Sequence, residues 1–167
     1  LNPQSGTGVT AYQVSPPQRD GAEPSVSLEF SDAVDGLMKG DFSRLAPLFV
    51  HSGPLGSRVV RWHDEGRFRD EPDALNEAFT CACFNGCLDV AEYLLARGVT
   101  AAGGAATGLN AFHWAANRGQ LEVVRLLLRR QSPLEARNSH GGTVLGCAVW
   151  SAIHEAKPAH PEVIEAL

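Results

Sequence analysis

Four residues in two regions have side chains suited to catalysis or metal binding. His113 is a candidate for acid-base chemistry, because an imidazole changes protonation near neutral pH. His154, Glu155 and His160 share one predicted loop and carry the nitrogen and oxygen ligands that metal ions prefer. Their spacing matches no familiar metal site, and Lys157 between them would repel a cation. The sequence therefore predicts no metal site.

The cysteines also fail to form a metal-binding pattern. They are Cys81, Cys83, Cys87 and Cys147. Cys81 and Cys83 are two residues apart on a predicted helix, so their side chains point to nearly opposite sides and cannot bind one ion. We expect all four to be free thiols that pack as small hydrophobic side chains in a reducing compartment.

Motifs and charge exclude several classes of function. The sequence has no glycine-rich phosphate loop after a predicted strand and no G-x-S-x-G or H-E-x-x-H string. We therefore predict that the chain is not an enzyme, has no catalytic residues and uses no cofactor. Its formal charge of −5 argues against binding to nucleic acid or to an anionic membrane. Since no apolar run reaches the roughly 18 residues of a membrane span, we expect a cytoplasmic protein.

An internal repeat must position these side chains. Residues 78–82 (AFTCA) return as residues 111–115 (AFHWA) and as residues 144–148 (VLGCA), each copy 33 residues after the last. A fixed period of this size is typical of a stack of repeats in which each unit buries its apolar face against its neighbours.

The middle copy carries a resemblance to a known family. Residues 110–116 (NAFHWAA) are followed by Gly119 and then by residues 121–128 (LEVVRLLL). At these residues the chain resembles the ankyrin-repeat family, with its T-P-L-H-x-A-A motif, its glycine and its V-V-x-x-L-L helix. The middle and last copies look like compact bacterial ankyrin proteins.

The resemblance implies an all-α, ankyrin-type solenoid of helix-turn-helix repeats with short hairpin turns. It implies that His113 has a structural role, in which its ring ties one repeat's turn to the next through backbone hydrogen bonds. We predict structural roles also for Gly86, Gly119 and Gly141, because glycine suits tight turns that need a positive φ. Gln131 stands where the helix-ending glycine is usual.

The sequence predicts two regions. Residues 1–27 are rich in Pro, Ser, Gly and Gln and predict a flexible tail, and residues 28–167 predict the repeat domain. Its units are placed at about 28–52, 70–103, 104–137 and 138–167, the last one truncated, with loop insertions at 51–70 and 153–160.

Two details accompany these boundaries. The first insertion contains both arginines and aromatic residues. This mixture is compatible with a loop that packs on the domain or contacts a partner, and also with a loop that binds single-stranded nucleic acid. Asp70 is the candidate cap of the helix that follows it, with Pro72 in the first turn.

Because the last unit stops early, we also expect Val123 and Leu127 to lie partly uncovered.

The residues left exposed by the repeat predict a binding surface. Three periodic rows map to the concave side of the stack: Cys81, Trp114 and Cys147; Phe84, Asn117 and Trp150; Asn85, Arg118 and Ser151. We predict that six residues contact a partner: Phe84, Trp114, Asn117, Arg118, His140 and Trp150. Tryptophan and arginine are enriched in binding hot spots. The alternative is that both tryptophans pack between neighbouring helices.

These observations predict a monomeric protein-protein interaction module that binds another protein on its concave face. A second hypothesis is a regulatory or targeting arm of a larger enzyme or effector, with its catalytic domain outside this sequence. A purely structural spacer is a third.

Overall fold

A computed structural model describes residues 28–50, 56–101 and 103–167. The predicted tail, residues 1–27, lies outside the described residues. The α-helices run in the order α1 Phe30–Met38, α2 Phe42–Leu45, α3 Arg58–Asp64, α4 Pro72–Asn85, α5 Leu88–Ala96, α6 Ala111–Asn117, α7 Leu121–Arg129, α8 Val144–His154 and α9 His160–Ala166. Short 3-10 helices cover Ala46–Leu48 and Arg67–Asp70. These ranges contain no β-strand, which confirms the all-α prediction.

Consecutive units stack through their inner helices. Helix α1 packs on α4, α4 on α6, and α6 on α8, while α5, α7 and α9 form the outer layer in the same order. Small side chains that are fully buried, including Ala82, Ala115 and Ala148, lie on these inner helices. Their small volume allows neighbouring helices to approach closely and to pack at the density of a protein core.

The outer helices are amphipathic. On α7 the buried residues Val123, Val124, Leu126 and Leu127 recur at the three-to-four-residue spacing of one helix face. The opposite face is exposed and includes Arg125, whose guanidinium forms an ion pair with Glu122 at 2.7 Å. An exposed pair of this kind contributes little to stability, so burial of the apolar face holds the helix in place.

The turn between inner and outer helix contains a glycine that the next unit covers. Gly86 and Gly119 adopt φ values of +72° and +68°. The amide of Gln120 covers Gly86 and donates a hydrogen bond to the carbonyl of Phe84, at 3.0 Å. His160 covers Gly119 in the same way, because its Nε2–H donates to the carbonyl of Asn117 at 3.0 Å.

These two contacts are equivalent although their spacing differs. The first joins residues 36 apart and the second joins residues 43 apart. The difference equals the seven extra residues in the last unit. The Nδ1 atom of His160 also accepts a hydrogen bond from the backbone N–H of Lys157 at 3.0 Å, so both ring nitrogens of this buried imidazole are engaged.

Glu77 orders the alanine- and glycine-rich segment before α6. Its side chain is only 3% exposed, and Oε1 accepts hydrogen bonds from the backbone N–H groups of Gly104 at 3.3 Å and Ala106 at 3.2 Å. The carboxylate thus satisfies backbone groups that the hairpin leaves without partners.

Part of the predicted 51–70 loop is helical. Residues 51–55 lie outside the described residues, but α3 and a 3-10 helix occupy most of the rest. The ring of Phe30 contacts Trp62 and Phe68, with centroid distances of 5.3 and 5.1 Å. Both of these aromatic side chains are buried, so they support the core of the first units and are not available to stack on nucleic acid bases.

The cap predicted at Asp70 is wrong. Asp70 is the last residue of the second 3-10 helix, and Glu71 precedes α4 without a side-chain capping bond. Pro72 is the first residue of α4, as predicted, because its missing N–H would have no partner there in any case.

The expectation of an uncovered α7 is also wrong. Val123 and Leu127 are 1% and 0% exposed, since α9 packs against α7. In the last unit, exposed apolar side chains lie on α8 instead, where Leu145, Val149 and Ile153 are 41%, 40% and 71% exposed. The predicted 153–160 loop is shorter than expected, because α8 continues to His154 and α9 begins at His160.

We predict that Leu127→Ala lowers the free energy of unfolding by about 2 to 5 kcal/mol, because a fully buried leucine leaves a cavity. Arg125→Ala, on the exposed face of the same helix, should stay within about 0.5 kcal/mol of the unmodified chain. Urea unfolding followed by circular dichroism measures both. Similar effects of the two substitutions would contradict the stacking described above.

We predict that Gln131→Gly raises the free energy of unfolding by about 0.5 to 1 kcal/mol. Gln131 has a φ of +55°, a left-handed conformation that strains a residue with a Cβ, whereas Gly98 has the corresponding place after α5 with a φ of +87°. An added Cβ at Gly98 would meet no heavy atom within 4 Å, so the reverse substitution, Gly98→Gln, should be destabilising through backbone strain. Thermal unfolding tests the pair, and a destabilised Gln131→Gly variant would refute the strain argument.

Candidate partner-binding surface

An aromatic cluster lies where the ends of the first three units meet. It consists of Phe42, Phe84 and Trp114, with Phe84 and Trp114 edge to face at a centroid distance of 5.0 Å. The indole Nε1–H of Trp114 donates to Oγ1 of Thr107 at 2.9 Å. Phe84 and Trp114 are therefore half-buried and packed against their own chain, as the alternative interpretation of Trp114 anticipated.

Arg118 lies over one side of this cluster. Its guanidinium carbon is 4.8 Å from the centroid of the Phe84 ring, a cation–π geometry that holds the charged group close to the surface. Because the side chain is already ordered, less conformational entropy is lost when it contacts a ligand.

The other predicted rows are only partly on the surface. Asn117 donates through Nδ2 to Oγ of Ser151 at 2.6 Å, and Ser151 is fully buried. Cys81 is fully buried as well, whereas Cys147 is 9% exposed and lines a concavity. Cys81 and Ser151 support the inner helices, and their predicted place on an exposed surface is wrong.

Trp150 is the most exposed aromatic side chain of the set. It is 52% exposed and stacks on the ring of His154 at a centroid distance of 4.4 Å. The Nδ1–H of His154 donates to the backbone carbonyl of Trp150 at 2.7 Å. The stack holds the indole at a defined position although little else covers it.

The hairpin before α8 is held together by hydrogen bonds. Asn138 accepts hydrogen bonds through Oδ1 from the backbone N–H groups of His140 and Gly142, both at 2.9 Å. Gly141, with a φ of +80°, forms the turn, and Arg137 donates to its carbonyl at 2.7 Å. His140 is exposed at the tip, where its imidazole makes no hydrogen bond within the described part of the chain.

Two neighbouring concavities bring the predicted residues together. The first, the aromatic groove, has a volume of about 450 Å³ and is lined by Phe84, Trp114 and Arg118, among others. The second, the hairpin pocket, has a volume of about 480 Å³ and is lined by His140, Gly142, Gly146 and Cys147, among others. Asn117 and Trp150 line both. Each of the six predicted residues therefore lines one concavity or both.

His113 lies behind this surface. Its ring is fully buried, and Nε2–H donates to the carbonyls of Ala136 at 3.1 Å and Gly142 at 3.2 Å, which joins α6 to the next hairpin. Nδ1 lies 2.8 Å from Oδ1 of Asn110, the residue that caps α6. Burial lowers the pKa of His113, although its carbonyl partners act in the opposite direction. This geometry is that of a structural histidine.

The thiols are poor nucleophiles. Burial raises the pKa of Cys87 to about 11 and also raises the pKa of Cys81, Cys83 and Cys147, so the reactive thiolate is scarce at neutral pH. All four cysteines are free. The described residues contain no cluster of histidine, cysteine or acidic side chains that could hold a metal ion, and none of their helices is long and apolar enough to cross a membrane.

The family comparison agrees with this architecture. A family model for ankyrin repeats matches residues 79–167 in three copies. The chain belongs to the ankyrin-repeat family. Comparison with the curated proteins finds no relative that matches. Ankyrin repeats are generally protein-protein interaction modules, and ankyrin domains are typically not catalytic.

Sequence reasoning missed several residues that shape the ankyrin surface. Phe42 and Thr107 contact Trp114, but Phe42 lies outside the 33-residue period because of the insertion that follows the first unit. His160 could have been found from the sequence, because removal of the seven extra residues aligns it with Gln120.

We predict that the stability of the ankyrin domain falls with acidification, in part through His113. A base whose pKa is lowered by folding binds fewer protons in the folded state than in the unfolded state, so its contribution is lost as pH falls below the ordinary value of 6.5. His113→Gln should be less stable at neutral pH and should show a shallower loss of stability between about pH 7.5 and pH 5. Urea unfolding across this range measures the slope, and identical slopes for the two proteins would refute the assignment.

Proposed function

We propose that this ankyrin chain binds another protein on the concave face of its inner helices, through the aromatic groove and the hairpin pocket. The observation that carries the proposal is the position of Trp150, which is 52% exposed and lines both concavities. An exposed tryptophan between two adjoining concavities is the kind of side chain that dominates binding energy in protein interfaces.

The surface is suited to binding without large rearrangement. The Phe84 ring orders Arg118, His154 orders Trp150, and Asn138 orders the hairpin. Because these groups already occupy defined positions, a partner meets a lower entropic cost when it docks.

The charges favour a protein over a nucleic acid. Arg118 and Glu155 line the same groove, so their charges offset each other there. Nucleic-acid affinity instead comes from several cations that neutralise neighbouring phosphates. The four free cysteines support the further proposal that the protein functions in a reducing compartment such as the cytoplasm, and we propose that it acts as a monomer.

The proposal predicts where a partner can be cross-linked. A photoreactive benzoylphenylalanine at Ser43, on the rim of the aromatic groove, should form an adduct with a protein in a lysate of the source cells. The same group at Arg129, on the exposed face of α7, should not form that adduct. Equal adducts from the two positions would refute the concave-face assignment.

With the cross-linked partner purified, Trp150→Ala should weaken binding by about 2 kcal/mol, roughly thirtyfold in affinity. Ile153→Ala is the matched control, because Ile153 is exposed on the same helix but lines neither concavity. Titration calorimetry measures both affinities, and circular dichroism verifies that each variant remains helical. Unchanged affinity of Trp150→Ala would remove this residue from the interface.

A further inference from the structure

The hairpin pocket occupies a position that a tryptophan fills one unit earlier. Trp114 and Cys147 are equivalent, 33 residues apart in the repeat. In the earlier unit the indole of Trp114 packs on the ring of Phe84 and donates a hydrogen bond to Thr107.

The equivalents of those contact residues line the pocket. Addition of 33 to residues 84 and 107 gives Asn117 and His140, and both line the hairpin pocket together with Cys147. A thiol is much smaller than an indole. The pocket therefore lies where this unit lacks the side chain that its predecessor has.

We propose that the hairpin pocket binds the indole of a tryptophan side chain carried by the partner protein. This inference rests on the proposed function, because it names the chemistry by which the concave face recognises its partner. The bound indole would lie next to the aromatic cluster that contains Phe84 and Trp114, since Asn117 and Trp150 line both the aromatic groove and the pocket.

The size and lining of the pocket suit this ligand. Its volume of about 480 Å³ lies within the range of roughly 300 to 1,000 Å³ that is usual for ligand sites. Trp150 and Leu109 give it apolar walls, and Gly142 and Gly146 place no side chain inside it. An added Cβ at Gly146 would meet only Oγ1 of Thr143 within 4 Å, so there is open space beside this residue.

A polar group stands where an indole N–H needs an acceptor. In the preceding unit that acceptor is Oγ1 of Thr107, at 2.9 Å from the nitrogen of Trp114. Its equivalent, His140, makes no imidazole hydrogen bond within the residues that the structure describes. A ring nitrogen of His140 can therefore accept from the incoming indole, whereas an aliphatic side chain has no donor to offer it.

The pocket is held open before a ligand arrives. Asn138 fixes the rim, because its Oδ1 accepts from two backbone N–H groups and its Nδ2 donates to Sγ of Cys147 at 3.2 Å. A half-buried side chain with this many partners has little freedom to collapse into the cavity, so the pocket is preorganised.

The test uses N-acetyl-tryptophanamide as the probe and two substitutions at Cys147. Cys147→Trp should fill the pocket from within and reproduce the packing of Trp114, whereas Cys147→Ala leaves the pocket open. In a titration followed by ¹⁵N NMR, the probe should shift the amide signals of His140, Gly142 and Gly146, with a Kd on the order of 1 mM for so small a ligand. We expect Cys147→Ala to retain this affinity and Cys147→Trp to lose at least about tenfold.

A second variant keeps the test decisive if Cys147→Trp fails to fold. Trp150→Ala removes an exposed wall of the pocket, which is a change the fold should tolerate, and it should also weaken binding of the probe. The comparison ligand is N-acetyl-leucinamide. Equal shifts with the leucine and tryptophan probes, or undiminished binding to a folded Cys147→Trp variant, would overturn the assignment.

The outcome is independent of the cross-linking experiment, because the probe needs no partner protein. An absence of probe binding together with a specific adduct from Ser43 would overturn the indole pocket and leave the proposed function in place. Probe binding lost in Cys147→Trp, without any specific adduct, would support the pocket and count against the proposed interface.

Discussion

The packing of successive inner helices through small side chains is the interaction on which the rest of this structure depends. No unit can bury its apolar face alone, and alanines such as Ala82, Ala115 and Ala148 let the helices of neighbouring units approach closely. That approach brings the turn of one unit within hydrogen-bonding reach of the next, as between His113 and Gly142. The polar links between units are therefore a consequence of close helix packing.

The same packing explains why equivalent positions in two neighbouring units differ, one filled and the other beside a pocket. Trp114 and Cys147 have equivalent positions on two successive inner helices, and the size of the side chain there decides whether the stack fills the adjoining space itself. At Trp114 the indole forms part of an internal aromatic cluster, whereas Cys147 lines a pocket. The positions that stabilise the stack are thus equivalent to those proposed for recognition, and the volume of a single side chain separates the two outcomes.

Much of the fold could be predicted because its determinants are local and periodic. The 33-residue spacing places His113, Gly119 and the helices of the middle unit, since each of them depends on neighbours at fixed offsets. Helix α3 was missed because its burial depends on Phe30, a contact far along the chain that no periodicity reports. The charged residues around Trp62 concealed it further, since they resemble a solvated loop.

The candidate site, too, could be predicted only where it depends on repeat position. Sequence position alone could place Phe84, Asn117, Arg118 and Trp150 on one side of the stack. It could not show that Ser151 is buried beneath Asn117, because burial depends on the packing of both helices. The pocket beside Cys147 could not be predicted from the sequence either, although the sequence does show a cysteine at the position equivalent to Trp114.

The seven extra residues before α9 show how the stacking of this chain tolerates a change in repeat length. His160 reaches the carbonyl of Asn117 in the way that Gln120 reaches Phe84, despite the longer connection. The stacking of one unit on the next is thus maintained by the contact at the start of the outer helix. It does not depend on the number of residues that connect the two units. The extra segment is a length-tolerant joint, where evolution or protein engineering can insert new sequence while the periodic scaffold on either side keeps its geometry.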